Sequence, residues 1–443
     1  MKVLTFGKSI ISRDKTAGLV FSNTFFQLFG KVVSMSITML TTILIARSYG
    51  VEGYGYFNLM QSIPALFFII VDFGFNAVAL RELEKRPESA QKYFFNILVM
   101  RVLFSALIII LTSLAVYAFF PYPADLKFGI YLSLFLVLTH ALYASGNLIF
   151  QFKLRYDYST LGYISGAFLV LILSLCLIYF RANIIWVNFT YFLGGVTTFF
   201  VSLRYLSKLG IRLGNKDLID FSLWKSLFMA SLPLGLTFLF SQVNFRADTL
   251  LLSKLSLPQE FGFNNVETVA VYGLAYKVFE VCLVLPTFFM NAVYPIYVKK
   301  LNIGATEFKY FFLKTLGALS LLSAFLTIFG YIFAPLMIKI LGGEQFIDSV
   351  FSLRVLFGGI SVFFISAPIS YFILTLGKQK YLPFAYALAG FVNVIGNILL
   401  IPRYSYIASS YLTWISELVI LVLLSLFAVR AWRLYNSTHE KLL

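Results

Sequence analysis

Apolar runs long enough to cross a bilayer recur along nearly the whole chain, interrupted by short polar segments. A spanning helix takes about 20 predominantly apolar residues. By that measure the pattern predicts helices near 21–46, 56–80, 93–119, 128–151, 160–180, 184–203, 227–253, 269–297, 310–338, 353–376, 381–401 and 406–429. The longest and most charged connection, Arg204 to Lys225, falls at the midpoint. The expected fold class is therefore all-α integral membrane, with 12 transmembrane helices in two six-helix lobes. The expected division is 1–206 for the N-terminal lobe, 207–226 for a cytoplasmic linker and 227–443 for the C-terminal lobe.

Composition agrees. A chain of 443 residues that is 60% hydrophobic and 12% charged lies outside the soluble globular range. Its mean hydropathy is +0.87. The net charge of +16 would suggest nucleic acid in a soluble protein. Here it reports topology, because cytoplasmic loops collect Lys and Arg. With the N-terminus inside, 23 of the 35 Lys and Arg fall on the cytoplasmic side and 7 outside, alternating loop by loop. Both termini are expected in the cytoplasm, and no nucleic-acid partner is expected. The segment from Met1 to Leu19 carries Lys2, Lys8, Arg13 and Lys15 without a small-residue cleavage site, so it reads as a cytoplasmic tail. Cys176 and Cys282 have neither disulfide-framework nor metal-site spacing.

The halves resemble each other. The second span starts Tyr54-Gly55, later reads Asn76-Ala77-Val78 and closes at Arg81. The eighth starts Tyr272-Gly273, later reads Asn291-Ala292-Val293 and closes at Lys299-Lys300. Both run the same way through the membrane, which predicts parallel repeats related by an axis along its normal.

Nine charged residues lie inside the expected spans: Lys31, Asp72, Arg101, Arg246, Asp248, Lys277, Glu280, Lys314 and Glu417. A charge at mid-membrane costs at least ~2.5–3.5 kcal/mol on insertion scales, so each asks for a reason. Five are cations and four are anions, which makes the interior mildly basic and suited to an anion. Lys31 is either a ligand contact or a partner for an acid such as Asp72. Asp72 shares a face with Asn76 one turn on. Arg246 and Asp248, two residues apart, point in different directions and cannot simply neutralise each other. Lys277 and Glu280, three apart, can pair directly. Glu417 has no local cation and is the best candidate for a protonatable carboxylate. Arg101 and Lys314 lie nearer the inner ends of their helices, where snorkelling to the interface explains them.

His140 is the only histidine inside the expected spans and has no His, Cys or carboxylate cluster to join, so no metal site is expected. Prolines 64, 233, 286, 295 and 368 fall within spans and suggest kinks, most densely in spans seven and eight. There is no Walker A sequence, potassium-filter sequence or arginine ladder, and the outer loops are too short for a catalytic domain. The chain is expected to be a transporter, not an enzyme.

Ala46-Arg-Ser-Tyr-Gly-Val-Glu-Gly-Tyr-Gly55 resembles the Ala-Arg-x-Leu-Gly-x-x-x-Tyr-Gly signature of the polysaccharide-transport branch of the MOP superfamily, with Tyr49 in place of Leu. These are the Wzx-type O-antigen and capsule flippases. Asp72-Phe-Gly-Phe75 with Arg81, Pro233-Leu-Gly, Arg246-Ala-Asp248, Tyr272-Gly, Pro286 and Pro295 extend the likeness. So do Gly342-Gly-Glu-Gln-Phe346, Asn393, Asn397 and Ile401-Pro402. The resemblance implies a MATE/MOP-like fold, two lobes around a central cavity, without a cofactor and with H+ or Na+ coupling left open. The cargo it implies is an oligosaccharide repeat unit on undecaprenyl pyrophosphate, moved by alternating access from the cytoplasmic to the outer leaflet of a bacterial inner membrane. On that basis Lys31, Arg246 and Lys277 are the expected pyrophosphate contacts. Asp72, Asp248, Glu280 and Glu417 are the pool for coupling or conformational switching. Partners would be membrane lipid and the polysaccharide polymerase machinery, with the monomer as the working unit.

Two rival readings remain at this stage. A multidrug or organic-cation antiporter of the same superfamily would share the architecture but favour an acidic cavity. A membrane-embedded glycan polymerase or ligase would need a larger outer loop than 254–268, which holds only Lys254, Glu260 and Glu267.

Overall fold

In hydrocarbon every backbone amide needs an internal partner, which leaves helices and closed barrels as spanning structures. The computed structural model describes residues 15–214 and 218–440, with side chains from 26 to 437, and among these it contains helices and no strand. They are α1 (Lys15–Asp72), α2 (Phe75–Lys85), α3 (Ala90–Phe119), α4 (Ala124–Phe152), α5 (Tyr156–Tyr179) and α6 (Ile184–Lys208). Then follow α7 (Phe221–Lys254), α8 (Asn265–Ile303), α9 (Ala305–Leu341), α10 (Ser349–Thr375) and α11 (Leu382–Glu440). Ten described helices are long and apolar enough to cross a membrane. The tail cations Lys2, Lys8 and Arg13, the Lys15 side chain, Lys216 of the linker and Lys441 lie outside the described residues.

Two helices are too long for one crossing. At 1.5 Å per residue, the 58 residues of α1 would extend about 87 Å, nearly three bilayer cores. Each long helix breaks at one residue: α1 at Gly50 (φ 69°, ψ −168°) and α11 at Ser405 (φ 48°, ψ −139°). Glycine pays no Cβ penalty at positive φ, so Gly50 turns the chain in one step where a longer loop, 47–55, was expected. The expected second span, 56–80, is itself interrupted. Phe73 (φ 45°) and Gly74 (φ 77°) both adopt left-handed backbone and separate α1 from α2 inside the apolar stretch.

The chain packs as two compact units. The first comprises residues up to Leu44 and Phe67–Leu232. Within it α4 is central, touching α2, α3 and α6, while α5 pairs closely with α6. Small residues permit that pairing: a Cβ on Gly166 would lie 2.1 Å from the Thr198 hydroxyl, and one on Gly194 would lie 2.8 Å from the Gly166 carbonyl. The described part of the connection between α6 and α7 is tied to the start of α3. Gln91 exchanges two hydrogen bonds with the Arg212 backbone, at 2.6 and 3.0 Å. Asn96 donates to the Leu218 carbonyl and accepts from the Asp220 amide and the Trp224 indole. Lys92 pairs with Asp220 at 2.7 Å.

The second unit comprises Ile45–Leu66 and Pro233–Leu443. Here α10 is central, touching α8, α9 and α11. Central α4 and central α10 are the most buried of the long apolar helices described. The middle of α1 is built into this second unit. Tyr54 is buried and meets Phe346 edge-on at 5.6 Å, and Gln345 donates to the Ala46 carbonyl at 3.1 Å. The two Tyr-Gly pairs noticed in the repeat are both contact points. A Cβ on Gly55 would lie 2.2 Å from the Val266 carbonyl, and one on Gly273 would lie 2.2 Å from the Asn58 amide nitrogen.

Candidate functional site

Seven of the nine charged residues expected inside the spans collect in four places, one in the first unit and three in the second. In the first, the break after Asp72 strands the last carbonyls of α1, which cannot find a partner on the next turn. Arg101, on α3, supplies the missing donors. Its guanidinium donates to the Val71 carbonyl at 3.3 Å, the Asp72 carbonyl at 3.4 Å, Asn76 Oδ1 at 3.0 Å and the Ser145 hydroxyl at 3.3 Å. It also forms an ion pair with the Asp72 carboxylate. Arg101 is fully buried, whereas Asp72 keeps a third of its side chain exposed. The expectation that Arg101 snorkels is therefore corrected. Its depth along α3 suggested an interfacial residue, but the broken helix beside it requires a buried cation. Lys314 is exposed on α9, as a snorkelling side chain would be.

Lys31 has an exposed side chain on α1, one residue after Gly30. That glycine lets α1 lie against α5: its Cβ would fall 2.4 Å from Thr160, whose hydroxyl donates to the Phe26 carbonyl. His140 stacks on Phe68 with ring centroids 4.6 Å apart. Among the described residues, no three His, Cys, Asp or Glu side chains converge as metal ligands.

The second place joins α7 and α8. Arg246 donates to Glu280 Oε1 at 2.6 Å, and Lys277 reaches Glu280 Oε2 at 3.3 Å. One carboxylate is thus shared by two cations, leaving a local surplus of one positive charge. All three side chains keep 23–35% exposure, so the surplus is accessible.

The third place centres on Asp248, which points away from Arg246. It is 1% exposed and accepts only from neutral donors. Tyr272 donates to Oδ2 at 2.7 Å, Thr413 to Oδ2 at 3.1 Å and Asn397 to Oδ1 at 2.8 Å. Asn397 is held in turn by the Ser409 hydroxyl and by Asn393. Asn397 precedes the Ser405 break in α11 and Thr413 follows it, so both arms of that helix meet on one carboxylate. The fourth place is Glu417, 4% exposed, which accepts from the Ser366 hydroxyl across the α10–α11 contact.

These groups offer two kinds of chemistry. Arg246 and Lys277 present charge-assisted donors to an anion. Asp248 and Glu417, buried without a cation among their described partners, can exchange a proton or a small cation for their own charge.

The family model described as "Polysaccharide biosynthesis protein" matches residues 20–300 of this chain. The chain belongs to that family. No curated protein matches it by sequence. Solved structures match in fold. A multidrug resistance MATE family transporter of the MOP superfamily, inward-facing, aligns with a TM-score of 0.71 at 13% identity, covering 91% of this chain and 96% of the other. The lipid II flippase MurJ, in an inward closed conformation, aligns at 0.68 and 15% identity, covering 92% and 87%. A MOP superfamily transporter from Pyrococcus furiosus, described as having a binding pocket of reverse polarity, aligns at 0.65 and 15% identity, covering 94% and 96%. The chain is thus a member of the polysaccharide biosynthesis family with the fold of MOP superfamily transporters, and its long apolar helices make it a multi-pass membrane protein.

In this family member the sequence-predicted site residues are divided, not pooled. Asp72 joins Arg101 in the first unit; Arg246, Lys277 and Glu280 form one group in the second; Asp248 and Glu417 each sit in a separate polar nest. Tyr272, Thr413, Asn393, Asn397 and Ser366 were not among the expected site residues. The Asn pair had a signal, two amides at i and i+4 on an apolar helix. Ser366 had none.

Proposed function

We propose that this transporter is a flippase for a polyprenyl-pyrophosphate-linked oligosaccharide, moving its headgroup from the cytoplasmic to the outer leaflet of a bacterial inner membrane by alternating access. The observation that carries this reading is the accessible Arg246–Glu280–Lys277 group with its surplus positive charge. A pyrophosphate can compete for Arg246 and Lys277, which then trade one carboxylate for a more highly charged anion. Lys31, exposed on α1, is the proposed contact in the first unit. Twelve crossings with both termini in the cytoplasm fit the loop charges. Asp248 and Glu417 are the proposed H+ or Na+ coupling residues, with Asp72 as a switch at the helix break. The polymer is of O-antigen, lipopolysaccharide or capsule type, and its undecaprenyl carrier stays in lipid while the headgroup crosses.

The test is a deletion strain assayed for the leaflet in which lipid-linked repeat units accumulate. Cytoplasmic build-up that wild type relieves and Arg246→Ala does not is the expected result. Unchanged surface polysaccharide in the deletion strain would sink the proposal. The antiporter reading keeps one supporting observation, the two buried carboxylates that a cationic substrate could discharge. Increased sensitivity of the deletion strain to cationic drugs, with surface polysaccharide intact, would favour it.

A further inference from the structure

Away from these four groups, the second unit has a cavity of about 500 Å³ among α9, α10 and α11, lined by Tyr331, Phe351, Arg354, Val355, Gly358, Tyr411 and Trp414. Its one charge is Arg354, and no acid among the described residues pairs with it. The Arg354 Nε donates to the Tyr331 carbonyl at 3.2 Å, and the guanidinium lies 5.0 Å from the Tyr331 ring centre. Those are its protein contacts, so both terminal nitrogens keep their donors. Tyr331 is ten residues from the end of α9, roughly 15 Å along the helix axis. The guanidinium, five residues after the start of α10, is thus directed across to α9 and not tied to an acid. A cation with free donors and no acid beside it can take an anion.

The walls are built around that charge. A Cβ on Gly359 would fall 2.2 Å from Trp414 Cγ, so only a glycine lets the indole lie against α10. Ser410 donates to Ser352 at 2.9 Å, fixing α11 to α10 beside the cavity. Gly358 leaves its side open, with nothing within 4 Å of a Cβ. On α9 the lining residue Tyr331 stands between Ile328 and Ile332, which with Leu321, Phe325 and Leu336 have the exposure of a lipid-facing stripe. A ligand entering from there brings an apolar tail.

We propose that this groove is a lipid site, in which Arg354 binds the phosphate of a membrane lipid while Tyr331, Tyr411 and Trp414 flank its glycerol or first acyl carbons. The lipid lies in the leaflet next to the α9–α10 turn. Aromatic rings of this kind suit the boundary between headgroup and chain, being apolar in body and polar at one edge.

Native mass spectrometry of the purified full-length protein with dioleoylphosphatidylglycerol tests this, with phosphate-free dioleoylglycerol as control. Wild type should retain the phospholipid. Arg354→Gln should lower retention about tenfold, the loss expected for one charge-assisted contact, and Arg354→Lys should keep part of it. Gly358→Leu fills the open side without removing the charge and should also lower retention, which keeps the test decisive if Arg354→Gln fails to fold. Wild-type retention in Gly358→Leu and in whichever Arg354 variant folds overturns the proposal. Equal retention of dioleoylglycerol overturns it in favour of an apolar furrow. Displacement of the lipid by an equal concentration of inorganic phosphate overturns it in favour of a free-anion site. Glycan-lipid flipping is a separate readout, so this groove and the flippase reading can fail independently.

Discussion

A fully buried arginine must place its donors on acceptors, and Arg101 does so by serving a broken helix. Removing it leaves the Asp72 carboxylate and the Val71 and Asp72 carbonyls without their donor. Breaking a buried pair from one side costs about 3–5 kcal/mol, and the partial exposure of Asp72 puts Arg101→Ala at the lower end. Detergent-phase thermal unfolding should show that loss, and Arg101→Met with Asp72→Asn should recover part of it. No recovery in the double variant would mean that the guanidinium acts mainly through the carbonyls. Asp248 calls for a different comparison. Asp248→Asn keeps the shape and one acceptor, whereas Asp248→Ala strands donors on Tyr272, Thr413 and Asn397, at about 1–3 kcal/mol for each that stays unsatisfied. The expected order of melting temperature is wild type and Asn together, then Ala. If Asp248 is a coupling residue, both variants lose ion-dependent transport. The sequence showed that Asp248 and Glu417 lacked simple local partners, because i,i+3 and i,i+4 neighbours can be read directly. It hid the Asp72–Arg101 pair, since that contact depends on a backbone break whose only local sign is Gly74.

Helix position was legible because a 20-residue apolar run has few alternatives in lipid. Helix interruption was not, because one left-handed residue suffices to turn a chain and leaves almost no compositional trace. The glycines that pack helices together can be ranked from what a methyl group would strike. At Gly55 it would meet the Val266 backbone carbonyl at 2.2 Å, which cannot swing away. At Gly273 it would meet the Asn58 side chain, which can. Gly55→Ala should therefore lower the melting temperature more than Gly273→Ala, while Gly358→Ala, facing open space, should raise it slightly through better helix propensity. Equal effects at Gly55 and Gly358 would refute the close packing of α1 on α8. The linker offers a titration. Asp220 is held well below the ordinary carboxylate range, first by its hydrogen bond from Lys92 and then by the Leu223 amide and the Ser222 hydroxyl. A depressed folded-state value stabilises the protein above the ordinary carboxylate pKa, roughly 4. That contribution declines as the pH falls towards the lower folded value. Asp220→Asn should thus melt earlier than wild type at pH 7, with the gap closing in acid; a gap constant from pH 7 to pH 3 would rule the linkage out.

On the scale of the whole molecule, the two halves carry the same plan in sequences that share little beyond a Tyr-Gly pair and an Asn-Ala-Val triplet. Central α4 and central α10 are the most enclosed helices of their units, and each is the helix that its neighbours pack around. Loop charge suggested a division into two halves around 207–226. It could not reveal that Ile45–Leu66 is built into the second unit, because that depends on Gly55 and Gly273 admitting close contact and not on hydropathy. The same loop charges predict a topology. If the breaks at Gly50 and Ser405 are both full turns, the chain crosses an even number of times and its ends share one side. If just one of them were only a bend within a single crossing, the count would be odd and the ends would be opposed. The length of α1 and α11 argues for turns, since a 58- or 59-residue helix bent once but crossing once would leave about 55 Å outside the hydrocarbon. If the excess of Lys and Arg marks the cytoplasmic side, both ends are expected there. Fusions should agree: a cytoplasm-dependent fluorescent reporter should be bright at the C-terminus, and an alkaline phosphatase that works only outside should be active when inserted at Gly343, between α9 and α10. An active phosphatase at the C-terminus would break the even count, and a bright reporter at Gly343 would invert the second unit.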